Sequence, residues 1–248
     1  MALTDLAFAS GFSSLLIVLI GYVLGLYLLS RYRSNPDKNT LALAVVLISI
    51  GSVWLAIAVN FILSLAGYEF LQELPYMLLL GWIPGVTGIT LGYMFVSIVK
   101  EEYLKPALVL FGLFFIADVA VMYVIVPFGI GDFTISSVLT FTQPPNDLPN
   151  ASVSGIWRIF VLISIIIMLL IALFFLLTAL RTDIKRVRAR AGLLGIGLII
   201  TTLLLVFDSL VELDNLVILL VVRIGVMFGL IIMSMGITLP KMFFGDLE

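Results

Sequence analysis

The chain contains no cysteine and no histidine in 248 residues, and only 11% of those residues are charged. Without these two side chains, zinc, haem, iron–sulfur and thiol chemistries lack their usual ligands, and a Ser-His-Asp triad lacks its base. No metal, no cofactor and no enzymatic activity is therefore expected. The missing cysteine leaves the redox compartment open, because a bilayer protein needs no disulfide to be stable. A basic excess is missing too: 13 Lys and Arg stand against 15 Asp and Glu. That balance excludes nucleic-acid binding as a main activity. A basic n-region is absent from the start, where Asp5 stands, so the first apolar stretch is expected to be retained and not cleaved as a signal peptide.

What is abundant is apolar. Hydrophobic residues make up 62% of the chain, against about 45–50% in a soluble domain. The mean hydropathy is +1.28. A surface of this composition needs lipid as its solvent. A bilayer core about 30 Å thick takes roughly 20 apolar residues of helix, and seven stretches qualify: about 10–30, 40–66, 75–98, 106–128, 156–180, 191–211 and 215–239. They leave no room for a soluble domain. The expected fold is one all-α, seven-transmembrane-helix domain over residues 1–248, in the cell membrane as a multi-pass integral protein. All Lys and Arg apart from Arg158 and Arg223 fall in the connections after the first, third and fifth spans or in the tail. The positive-inside rule then puts the N-terminus outside and the C-terminus in the cytoplasm.

Ionisable residues within spans are costly, at about 2.5–3.5 kcal/mol each on the lenient insertion scale, and each needs a partner or water. Asp118, Arg158, Asp208 and Arg223 are of this kind, and Asn60 adds a polar amide. Counted at 1.5 Å per residue, Asp118 and Arg223 lie about 14 and 12 Å below the outer surface, with Asp208 and Arg158 shallower. The expectation is two pairs, Asp118–Arg223 and Asp208–Arg158, lining an outward-facing ligand pocket together with Asn60. The plain alternative is a set of buried ion pairs that fix helix rotation and bind nothing. For Arg158 alone, snorkelling to the interface competes with pairing.

In the third span Gly81, Gly85, Gly88 and Gly92 share one helical face, and Pro84 is placed to kink it. Small residues let helices approach closely in lipid, so this span is expected at the crowded centre of the bundle, with a homodimer seam as the alternative. Gly21/Gly25 and Gly225/Gly229 repeat the spacing in the first and seventh spans. The one long connection, 129–155, mixes a strand-prone run with prolines and is expected to form a short hairpin over the outer mouth. Asn150-Ala151-Ser152 within it is a glycosylation acceptor triplet. The segment Arg181 to Arg190, read as an inner loop, carries Arg181, Lys185, Arg186, Arg188 and Arg190. It suits contact with anionic headgroups, or with a cytoplasmic partner.

Seven spans occur in several families. A retinal protein needs a lysine in its seventh span, whereas Lys38, Lys100, Lys105, Lys185 and Lys241 all lie in connections or the tail, so no retinal is expected. The Asp-Arg-Tyr and Asn-Pro-x-x-Tyr signatures of animal G-protein-coupled receptors are missing. Arg31 closes the first span, Trp54 lies in the second, a long loop follows the fourth, and the basic run leads into Gly192-Leu-Leu-Gly195-Ile-Gly197. In this spacing, over almost its full length, the chain resembles the seven-helix sensor region at the N-terminus of many archaeal and bacterial histidine kinases. The resemblance implies a membrane sensor. Only eight residues follow Pro240, so the expectation is a stand-alone module, signalling through a separate cytoplasmic protein. Two competing classes stay open: a secondary transporter of 3+1+3 build for a small polar solute, and a scaffold subunit of a membrane complex.

Overall fold

The computed structural model describes residues 3–99, 104–142, 148, 150–210 and 215–238. Seven helices among them are long and apolar enough to cross a membrane. The first is α1 (Asp5–Ser34); α2 (Lys38–Gly51) and α3 (Leu55–Leu65) make the second span, and α4 (Glu73–Leu80) and α5 (Ile83–Val99) the third. The fourth is α6 (Leu104–Ala120), continued by a π turn, Val121–Ile125. The last three are α7 (Gly155–Arg181), α8 (Lys185–Leu210) and α9 (Leu216–Thr238).

Local chemistry sets the ends. Thr4 caps α1 by accepting from the Ala7 N–H at 3.1 Å, and Asp5 suits the positive end of the helix dipole. Asp37 caps α2, accepting from Asn39 N, Thr40 N and the Thr40 hydroxyl. Asn215 caps α9 through Val217 N and Ile218 N. At the far end of α9, the Arg31 guanidinium donates to the Ile237 carbonyl at 3.2 Å, where a cation suits the helix C-terminus.

Spans one, two, three, five, six and seven follow one another around a closed ring, in chain order, and the fourth packs outside the ring against α5. The core of the ring joins Ile17 and Leu28 of α1, Leu43 and Leu47 of α2, Leu91 of α5, Met168 and Ile171 of α7, Leu198 of α8, and Val226 and Leu230 of α9. Exposed apolar side chains on the outer faces, among them Val23, Leu110, Leu113, Leu170 and Val221, make a surface that lipid solvates and water does not.

Glycine sets the closest helix contacts. All four stripe glycines of the third span meet the fourth span of the same chain: Gly81 meets Met122, Gly85 meets Asp118 and Phe115, Gly88 meets Phe114, and Gly92 meets Phe111. The seam is therefore intramolecular. Gly21 lies against Gly51 and the Leu47 carbonyl, and Gly229 against Thr201 and the Gly197 carbonyl. The third span is interrupted where the kink is expected, with Gly81 itself at helical angles (φ −61°, ψ −23°). It breaks at Gly81–Trp82, and Pro84, which has no N–H to give, sits as the second residue of α5, where that loss is harmless.

The connection after the fourth span forms the expected hairpin. Strand β1 (Leu139–Thr142) pairs antiparallel with β2 (Asn150–Val153), with Leu139 opposite Val153 and Thr142 opposite Asn150. Val138 and Leu139 pack on Met77, Met122 and Trp157. Leu148 packs with Ala7 and Phe61, so the connection reaches across one end of the bundle. Gly155, at φ +53°, turns the hairpin into α7 where a Cβ would strike the Ser137 carbonyl. Of Asn150 the backbone is described, while its side chain, Pro144, Pro145 and Pro149 lie outside the described residues.

One boundary differs from expectation. The segment read as an inner basic loop is a connection of three residues, 182–184, and Lys185, Arg188 and Arg190 lie on the opening turns of α8. Lys and Arg have good helix propensity, so charge alone does not end the helix. Arg186 shares that helix, but its side chain is outside the described set.

Candidate functional site

Two polar centres sit inside the bundle. The first joins four spans. The Arg223 Nε of α9 donates to Asp208 Oδ1 of α8 at 2.8 Å, with side-chain exposures of 5% and 12%. The Trp54 indole N–H of the second span donates to the other oxygen, Asp208 Oδ2, at 2.8 Å. Arg223 Nη1 donates to the Ser14 hydroxyl of α1, and the guanidinium carbon lies 5.4 Å from the Trp54 ring centroid. One carboxylate is thereby held by a cation and an indole, and the cation by a hydroxyl and a π face. Ser14, Trp54 and Arg223 lie about 11–17 Å along their helices from the hairpin end of the bundle.

The second centre lies at the break in the third span. Asp118 of α6 is fully buried, and its Oδ2 accepts from the Gly85 N–H at 2.9 Å. A Cβ on Gly85 would stand 2.7 Å from that oxygen, so only glycine lets the carboxylate this close to the backbone. Two hydroxyls bind backbone around the same break: Tyr123 donates to the Leu78 carbonyl at 2.6 Å, and Ser164 of α7 to the Pro84 carbonyl at 2.9 Å. The Trp157 indole N–H approaches the Asp118 carboxylate without reaching hydrogen-bond geometry. Asp118 Oδ1 has no partner.

The expected pairing is thus corrected. Arg223 is held by Asp208, not by Asp118, because the ring places α9 beside α8 and α1, while α6 stands outside it on α5. Asp208 does not pair with Arg158: both its oxygens are taken, and Arg158 is exposed on the first turn of α7. Snorkelling describes Arg158 better. Asn60 is fully buried and belongs to neither centre. Its Oδ1 accepts from the Leu71 N–H at 2.7 Å and fastens the connection after α3. The hairpin lies over Met122 and Trp157, on the Asp118 side.

Residue spacing did not bring out Ser14, Ser164, Tyr123 or the bonding role of Trp54. Each is a polar tip in an apolar run, which is a signal of its own, since a donor inside a span must find an acceptor. At the opposite end of the bundle, Arg181, Lys185 and Arg188 are exposed. Arg188 donates to the Thr182 carbonyl at 2.8 and 3.1 Å and stands 3.8 Å from Asp183. Among the described residues, no group of three His, Cys, Asp or Glu is placed to hold a metal ion.

No protein-family model matches the chain, and no curated protein matches it significantly. The likeness to kinase sensor regions rests on sequence spacing alone: Arg31, Trp54, the loop after the fourth span and the basic run leading into Gly192-Leu-Leu-Gly195-Ile-Gly197.

Proposed function

We propose that the chain is a sensor-like, multi-pass protein of the cell membrane, with its N-terminus outside and its C-terminus in the cytoplasm. In this reading Asp208–Arg223 is a latch that a small polar ligand, entering from the outer side, would reset. One observation carries it: α8 is an uninterrupted helix with Asp208 near one end and the basic run at the other, about 30 Å away. A helix that breaks nowhere transmits a shift at one end as a shift at the other. A ligand that competes for the Arg223 guanidinium would release Asp208 and move Lys185, Arg186, Arg188 and Arg190, together with Arg181 across the short connection. Those charges would meet anionic headgroups or a separate cytoplasmic signalling protein.

The test exploits the absence of cysteine. Spin labels attached through Arg33→Cys and Arg188→Cys, both at exposed positions, report the position of α8 relative to α1 by double electron–electron resonance. Substituting Asp208→Asn mimics release of the latch, and the reading expects a shifted or broadened distance distribution. An unchanged distribution in a folded variant rejects the lever. Orientation is tested separately with two single variants on intact cells: a membrane-impermeant maleimide should label Ser136→Cys but not Arg188→Cys.

A second reading, the 3+1+3 transporter of a small polar solute, is favoured by the broken third span and by a fourth span lying outside a ring of six. Broken helices are how many transporters build their sites. Uptake of solute into proteoliposomes tests it.

A further inference from the structure

The Asp118 centre holds a buried carboxyl group for which the described residues supply no counter-charge. Among the described residues, no Lys or Arg stands within ion-pair distance of it: Arg223 is held by Asp208, and Arg158 is exposed. The groups at the carboxylate are Gly85 of α5 and Trp157 of α7, with Phe115 of α6 against the same glycine and Tyr123 the titratable neighbour one turn along. None is a cation. One oxygen is satisfied by the Gly85 N–H and the other is not.

The break beside it supplies further oxygens. In a continuous helix the carbonyl of residue i accepts from the N–H of residue i+4. The Leu80 carbonyl has lost that donor, since residue 84 is Pro. The Gly81 carbonyl has lost its own, because the Gly85 N–H is bonded to Asp118. Backbone carbonyls that have lost their helical donors, next to a carboxylate with an unused oxygen, attract a hard cation that takes oxygen ligands. One carboxylate balances one positive charge, and the groups acting on Asp118, Gly85 and Trp157, include no second acid. The ion is therefore monovalent.

We propose that Asp118 and the α4–α5 break form a binding site for one small monovalent cation of the sodium class. Bound there, the ion cancels the buried charge and ties the fourth span to both halves of the third. This site shares no residue with the Asp208–Arg223 latch and does not depend on the sensor reading.

The experiment is a sodium titration of the purified full chain in detergent. Binding of 22Na+ is followed by equilibrium dialysis, and thermal unfolding is compared in NaCl and in choline chloride at equal ionic strength. The wild type is expected to bind sodium saturably and to unfold at a higher temperature in NaCl. Asp118→Asn, which keeps the shape and removes the charge, loses both effects; Gly85→Ala, whose Cβ displaces the carboxylate, loses them too; Asp208→Asn keeps them. Absence of saturable binding by the wild type overturns the proposal, whatever the variants do. So does a stability that answers to pH alone and equally in both salts, which would mean that a proton neutralises Asp118.

Discussion

The two polar centres solve one problem in opposite ways. Around Asp208, the charge of the acid is met inside the chain by Arg223; Trp54 donates to the second carboxylate oxygen, and Ser14 accepts from the guanidinium. Around Asp118, no guanidinium answers the carboxylate, and a broken helix with glycines brings backbone to it instead. The first centre holds four spans of the ring together. The second holds the fourth span, which has few other attachments, to the third. A charge-balanced centre is a fastener whose loss is felt at once, while a carboxyl group without a counter-charge is open to a proton or an ion from outside the chain.

Substitutions can break or sharpen this contrast. The largest effect is expected from Arg223→Leu, which strands Asp208 with only an indole. Removing one partner of a buried pair costs about 3–5 kcal/mol, read as a fall in unfolding temperature or in the SDS fraction needed to unfold the protein. The double variant Asp208→Leu/Arg223→Leu should recover much of that loss, since an apolar pair avoids the stranded charge. Gly85→Ala comes next. It forces a Cβ against Asp118 Oδ2, an overpacking of about 1–3 kcal/mol, and separates the fourth span without disturbing the latch. Tyr123→Phe removes one hydroxyl from the break and should cost about 1 kcal/mol. Arg188→Ala, whose ion pair with Asp183 is solvent-exposed, should leave stability unchanged within error.

The spans were legible because lipid imposes length and apolarity on the sequence, and the stretch expected at 156–180 is found at Gly155–Arg181. The glycine face of the third span was legible as well, since Gly81, Gly85, Gly88 and Gly92 fall on one side of any helix. What escaped was which helices are neighbours. Depth along a helix can be counted from sequence, and it matched Asp118 to Arg223; rotation and ring order cannot, and they gave Arg223 to Asp208. The start of α8 escaped for a different reason: Lys and Arg signal the membrane edge, yet they are also good helix formers. Asn60 shows a third limit. Its polar tip marked it for a site, but it serves the backbone of its own connection.

The most direct test of the division into two centres is a pair of double-mutant cycles measured by unfolding, one on Asp208 and Arg223 and one on Asp118 and Arg223. The account predicts a coupling of about 1–3 kcal/mol in the first cycle and none beyond error in the second. A strong coupling between Asp118 and Arg223, with none between Asp208 and Arg223, would contradict it.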